Sequence, residues 1–539
     1  MINKRDFLKW GFITGGAALI SGGVQGIRSA SSQTPPACPP DIPAVSPPTT
    51  PFVHALPMPP VLQPVPPAQL DPSPVPGNHQ RYSEYPPIHY YEIRVREALH
   101  SFHPDLPLTK IWGYNGIFPG PTITGRYGAP FLIRIHNELP PDHVGFGIPQ
   151  IITHMHNFHT AWESDGNPNI GFVNFGEFRD HHYCGKYAGD DEREALGTLW
   201  YHDHRKDFTA PNAYRGLAGF VLFFDHKDTG NEQDPNPQAL KLPSGQYDVP
   251  LVFADKTFDA AGQLVFDQFS FDGFLGDKIT VNGAIQPFLK VARRKYRFRL
   301  LDGGPSRFYE FFLSDGKSFE LIATDGNLLP GPITVESARV AVAQRRDIVI
   351  DFSQYQIGDR VFLENRLEQV DGRGPTGTIL QHGTQVLRFD VDLEAADSPP
   401  LPLSMRSLPP INITASTPRR TFTFERTQGA WAINGQFYNP DAPVATIPQG
   451  VPEVWTLRNA GGGWSHPIHI HFEEFQILLR NGQTPEPEEI GRHDVVELGP
   501  NDEVQIYIQF RDFTGRYVMH CHNTVHEDHA MMVRFDIVP

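Results

Sequence analysis

Cysteine is scarce in this chain: Cys38, Cys184 and Cys521 are the only three in 539 residues. Three thiols exclude a fold stapled by a disulfide framework. If Cys521 serves elsewhere, Cys38 and Cys184 are left either to form one bridge or to stay unpaired. Positive charge is also short, with 45 Lys and Arg against 61 Asp and Glu and a formal charge of -16 at pH 7. A chain of that sign repels phosphate backbones, so nucleic acid is not an expected partner. No stretch sustains a helical period, and the one apolar run near the N-terminus is too short and too glycine-rich for a stable membrane span.

Proline (53) and glycine (48) are plentiful, which favours turns and short strands over long helices. Residues 1–30 read as an export signal: Lys4-Arg5 precede Phe7-Leu8-Lys9 and an apolar run to about Gly22. The stretch is similar to a twin-arginine signal with Lys in the first Arg position, so a periplasmic or extracellular location is expected. Residues 31–81 are dense in proline and are expected to run extended over the surface. Beyond them the pattern is alternating strands, as in Tyr91–Val95, Phe131–Ile135, Tyr296–Leu300 and Val504–Ile508.

An internal repeat organises this β-rich region. Asn115-Gly116, Asn282-Gly283 and Asn434-Gly435 are each followed by proline and then by a strand, at a spacing of a domain. The layout implied is all-β, three related Greek-key sandwiches at 82–230, 231–404 and 405–539. The proline-rich stretch Ser398–Leu403 would link the second to the third.

Four His-x-His pairs stand out: His154/His156, His202/His204, His469/His471 and His520/His522. On a strand, residues i and i+2 face the same side, so each pair can aim two imidazoles at one site. Two pairs fall in the first repeat and two in the third. The middle repeat has Ser306-Arg307-Phe308-Tyr309 where the third has Ser465-His466-Pro467-Ile468-His469. A metal cluster is therefore expected where the first and third sandwiches meet. Eight imidazoles exceed the needs of one ion, and shared among three they leave positions open for a small ligand such as dioxygen. His466, Cys521, His526 and Met531 form a separate set. Two imidazoles, one thiolate and a weak thioether suit a blue electron-transfer copper.

With these motifs the chain resembles the three-domain multicopper oxidases over nearly all of residues 82–539. The segments Tyr114–Thr122, Leu199–His204, His466–His471 and the closing His520-Cys521-His522-x-x-x-His526-x-x-x-x-Met531 carry the likeness. Within the family, Trp464 before His466 and Asn523 after His522 resemble bilirubin oxidases and spore-coat laccases. The resemblance implies cupredoxin-like domains and four coppers: one type 1, one type 2 and two type 3. It implies type 2 ligation by His154 and His469, and type 3 ligation by His156, His202, His204, His471, His520 and His522. It further implies oxidation of phenols, aromatic amines or tetrapyrroles coupled to reduction of O2 to water, with His466 as the last relay if its ring edge reaches the surface. Met531 implies a lower potential than a non-coordinating residue would give. Trp464 is equally readable as packing or as a substrate contact.

Oxygen reduction consumes protons, and Asp165 and Glu527 are the acids expected to relay them, against the alternatives of a turn former and a hydrogen-bond acceptor. His181-His182 is expected in a solvated loop, and His529 at the surface or beside the ligands. A metal oxidase acting on Mn(II), Fe(II) or Cu(I) is the competing reading. Only seven Met with no cluster beyond Met531-Met532 argues against Cu(I). A scaffold without activity is disfavoured by the intact ligand set. A monomer is expected.

Overall fold

The computed structural model describes residues 45–168, 170–396 and 398–539. The expected export signal and Cys38 lie outside them. Among the described residues, no helix is long and apolar enough to cross a membrane.

Among the described residues the strands gather into six sheets in three successive pairs. Residues 89–224 make two four-stranded sheets, 248–393 a seven-stranded and a five-stranded sheet, and 419–538 two five-stranded sheets. Each pair closes on its own apolar core, since alternate residues of a strand with one wet face must be covered. Ile93 and Ile133 from one sheet meet Tyr201 and Val221 from the other. Phe253 and Phe298 meet Phe311 and Phe389, and Phe424 and Trp455 meet Ile468 and Phe535. The fold is all-β, and the four strands anticipated from alternation lie within His89–His100, Phe131–Asn137, Lys295–Asp302 and Glu503–Gln509.

The Asn-Gly repeat has a uniform geometry. Asn115, Asn282 and Asn434 have φ of 56°, 49° and 52°, and each following glycine is also left-handed, the arrangement of a type I′ turn. Each Asn Oδ1 accepts the backbone N–H of a residue on the preceding strand, Arg94, Val252 or Thr423. The same three strands each pair in parallel with a later one, and that partner ends at matching positions Asn137, Asp302 and Asn459. Asn137 and Asn459 donate their amides to loop carbonyls, Val173 and Gly499 among them.

The proline-rich segment crosses two sandwiches in extended form. Ser46 binds Asp277 through amide and hydroxyl. Leu56 N–H pairs with Phe288 of the middle sandwich and Leu62 N–H with Thr122 of the first, with both side chains buried. A seven-residue helix, Thr209–Arg215, docks on the five-residue helix Thr524–Asp528. Asp528 accepts the Thr209 and Ala210 amides, 2.9 and 3.0 Å away, and so caps the longer helix.

Candidate metal centre

Strand pairing assembles the histidines. In the first sandwich His154 sits opposite His202, and in the third His469 sits opposite His520. The two sheet ends then interleave across the domain boundary. The His154 ring stacks on His471 with centroids 4.0 Å apart, and His156 stacks on His469 at 3.7 Å. All eight side chains are buried.

One nitrogen of six of the eight rings is anchored from behind. His154 Nδ1 lies 2.5 Å from Asp165 O, His202 Nδ1 2.8 Å from Asp203 O, and His469 Nδ1 2.9 Å from Asp494 O. His471 Nδ1 is held by Asp165 Oδ2 at 2.8 Å, and His520 Nδ1 by Cys521 O at 3.1 Å, with Glu527 Oε2 3.2 Å away. His156 is turned the other way, with Nε2 on Asp494 Oδ1 at 2.9 Å. The opposite nitrogens face inward. His154, His202 and His469 Nε2 and His156 Nδ1 are buried without a protein partner, as are both nitrogens of His522. His204, His471 and His520 converge through Nε2, with separations of 3.2 and 3.1 Å.

Buried nitrogens with no protein partner are costly unless something accepts their lone pairs. Burial first, then the neighbouring imidazoles, hold His156, His204, His471 and His522 well below the ordinary imidazole range, so the rings are neutral. Neutral, outwardly anchored imidazoles are what a transition-metal site requires. Among the described residues five groups could each hold an ion: His154, His156 and His202; His154, His469 and His471; His204, His471 and His520; His156, His469 and Asp494; and His466, Cys521 and His526.

The last group is the separate set. Cys521 Sγ lies 3.5 Å from His466 Nδ1 and 3.6 Å from His526 Nδ1, and those nitrogens are 3.1 Å apart. Burial pushes the Cys521 thiol well above its usual value, so its thiolate needs a cation beside it. The Met531 side chain is buried in the same core, and the Met531 N–H binds His526 O. This donor set fits copper, and the eight imidazoles fit a cluster of ions of the same kind.

The middle sandwich contributes no ring to these groups, yet it frames them. Asp272 O lies 3.2 Å from His526 Nε2, Ser306 Oγ donates to Asn523 Oδ1, and the Thr524 N–H binds Pro305 O. Sequence reasoning missed Asp272, Asp494 and Trp200. No spacing rule marks the first two. Trp200 stacks on His202 at 4.3 Å from within the Leu199–His204 motif.

Several expectations change. The His466 ring edge does not reach the surface: the residue is buried, and a Cβ on Gly461 would sit 3.2 Å from its Nε2. Exposure falls instead to Trp464, half-buried above the site, which meets Trp431 at 5.4 Å; Trp431 in turn lies 4.1 Å from the His526 ring. His181 and His182 are in a strand, not a solvated loop. Both are buried because their rings bind Ser164 O and Tyr85 O. His529 takes the second of its two expected places, buried beside a ligand, with its N–H on His526 O, Nδ1 on Val525 O and its ring 4.4 Å from Phe271. Cys184 is buried and free, its thiol pushed up to about 12 by burial.

Comparison with known proteins bears on this arrangement. Three sequence models described as multicopper oxidase match residues 100–228, 248–382 and 409–539. The chain is 36% identical over 502 residues to a bilirubin oxidase of Albifimbria verrucaria, covering 90% of this chain and 81% of that protein. It is 31% identical over 538 residues to a laccase of Bacillus subtilis, covering 90% and 98%. The crystal structure of a laccase from Pediococcus acidilactici superposes with a TM-score of 0.75 at 25% identity, covering 92% of this chain and 95% of that one.

Proposed function

The chain belongs to the multicopper oxidase family, and from that premise we propose that it is a laccase-like enzyme for organic donors, holding four coppers. It is an oxidoreductase that passes electrons from a reducing substrate to O2. In the reading proposed here, His466, Cys521, His526 and Met531 hold the type 1 copper. His154 and His469 hold the type 2 ion, and His156, His202, His204, His471, His520 and His522 hold the type 3 pair. Copper bound in these places supplies one-electron acceptance at one end and oxygen reduction at the other.

The protein supplies the rest. Cys521 is covalently joined to His520 and His522, so a single tripeptide spans both sites. Asp165 orients His471 through its carboxylate and His154 through its carbonyl. Glu527 Oε1 accepts from Thr209 Oγ1 at 2.6 Å, while its Oε2 faces His520 Nδ1 at 3.2 Å. Both acids are buried beside the cluster and belong, in this reading, to the proton supply.

The observation that carries the organic-donor reading is the face above Trp464. Arg373 and Arg426 stand 4.9 and 5.4 Å from its ring, and both pair with Asp272, at 3.5 and 3.4 Å. Aromatic and cationic groups together favour planar donors, carboxylated tetrapyrroles included. Asp272 and Asp371 are both engaged by arginine, which disfavours a metal cation at these two acids. Export in the mature form and a monomeric state complete the proposal. Oxygen uptake by copper-loaded protein tests it, with a dimethoxyphenol, bilirubin, Mn(II), Fe(II) and Cu(I) as donors. Turnover of the organic donors is expected, and turnover of the metals alone would overturn it.

A further inference from the structure

We propose that Arg345, in the sandwich that bears no ligand, is a positioning residue for the eight-histidine cluster and acts through Asp494. The inference rests on the copper reading of that cluster. Arg345 opens the strand Arg345–Asp351 and is fully buried. Its five N–H groups are all used. Nε donates to Thr198 O of the first sandwich at 3.2 Å. Nη1 donates to Ala343 O at 3.0 Å and Asp494 Oδ1 at 2.8 Å. Nη2 donates to Asp325 O at 2.9 Å and to Asp494 Oδ2. The guanidinium therefore ties one carbonyl of the first domain, two of the second, and a carboxylate of the third at one buried point.

Asp494 passes this on. Its Oδ1 holds His156 Nε2 at 2.9 Å and its backbone oxygen holds His469 Nδ1 at 2.9 Å. These two rings are the ones stacked at 3.7 Å across the domain boundary. Because the carboxylate accepts from Nε2–H, the proton of His156 is fixed there and its Nδ1 lone pair faces inward, opposite to His154, His202 and His469. A buried carboxylate stays an acceptor only while its counter-charge is present. Without Arg345, nothing on its side would fix the direction of the Asp494 carboxylate, and the unusual tautomer of His156 would lose its cause. Docking of the middle sandwich thus becomes a condition for a correctly oriented cluster.

A second ion pair across the junction of the middle and third sandwiches, Arg339 with Glu497, provides the control. Arg345→Met, Arg345→Lys and Arg339→Met are compared by copper released to a chelator, blue absorption, electron paramagnetic resonance of the cluster copper, and nitrogen-15 resonances of His156 in the metal-free protein. Arg345→Met should keep the blue absorption, lose cluster copper about 10 to 100 times more readily, and lose the Nε2–H form of His156. Arg345→Lys should fall between, because an ammonium restores charge but not the fork. Arg339→Met should match the wild type in all of these. Equal copper loss in Arg345→Met and Arg339→Met, or an unchanged His156 tautomer, would overturn the proposal. Should Arg345→Met fail to fold, Asp494→Asn takes its place; the same selective loss is expected, and wild-type retention would overturn it. A wild type that takes up no copper at the cluster would refute the metal reading, while the metal-free tautomer still decides the role of Arg345.

Discussion

Asp165→Asn separates two roles that one carboxylate could fill at the cluster. The side chain is buried, Oδ2 accepts from His471 Nδ1 at 2.8 Å, and Oδ1 lies 3.4 Å from His154 Nδ1. His154 is held by the Asp165 carbonyl, which the substitution leaves in place. An asparagine keeps one acceptor for His471 and loses the charge. If Asp165 only orients rings, the loss is the difference between a charge-assisted and a neutral hydrogen bond, about 1 kcal/mol, or roughly fivefold in copper affinity and rate. If it also carries protons, kcat should fall by about 100-fold or more. The donor face around Trp464 is untouched, so KM for the donor should not move. Steady-state oxygen uptake from pH 5 to 8, with copper content measured on the same samples, reads all three quantities. The account expects near-complete copper, an unchanged KM and the larger fall in kcat. An unchanged kcat at every pH would refute the proton role.

Three shorter predictions address other links. Cys521→Ser should abolish the blue absorption and donor oxidation while cluster copper remains detectable by electron paramagnetic resonance; a retained blue band would remove Cys521 from the site. Arg426→Gln should raise KM for a carboxylated aromatic donor several-fold with kcat little changed, and added salt should shrink the difference between the two proteins; equal KM values at low salt would contradict the proposed donor face. Asp302 occupies the repeat position held by Asn137 and Asn459, with Oδ1 accepting from Gly304 and Oδ2 buried without a partner. Burial, aided by the nearby Asp255 carboxylate, holds its carboxyl well above the usual range. The folded state then binds a proton that the unfolded chain has released, so stability falls as pH rises above about 4, by at most about 1.4 kcal/mol per pH unit. Asp302→Asn should flatten that slope in urea unfolding between pH 5 and 8, and parallel slopes would show that Asp302 is ionised in the fold.

The donor set was legible because its chemistry is concentrated in short motifs. His-x-His on a strand declares a shared face, and the Asn-Gly turns declare a repeat. From these followed the all-β architecture and the meeting of the first and third sandwiches. What the sequence did not carry lies in contacts between segments far apart in the chain. Asp494 and Arg345 are 149 positions apart, and Asp272 lies 254 from His526; no periodicity links either pair. Local polarity also misled at His181 and His182, where two imidazoles suggested solvent but each ring finds a backbone carbonyl inside the fold. The relay role of His466 was conditional on a ring edge at the surface, a condition implied by the family resemblance; the ring is buried, with Gly461 close beside it.

The most direct test of the account is the stoichiometry of oxygen reduction by the copper-loaded protein. With a one-electron organic donor in excess, dissolved oxygen, oxidised donor and peroxide are followed together. The account predicts one O2 consumed for every four donor molecules oxidised, with no peroxide released. Accumulation of hydrogen peroxide at one per two electrons, or donor oxidation without oxygen uptake, would contradict it.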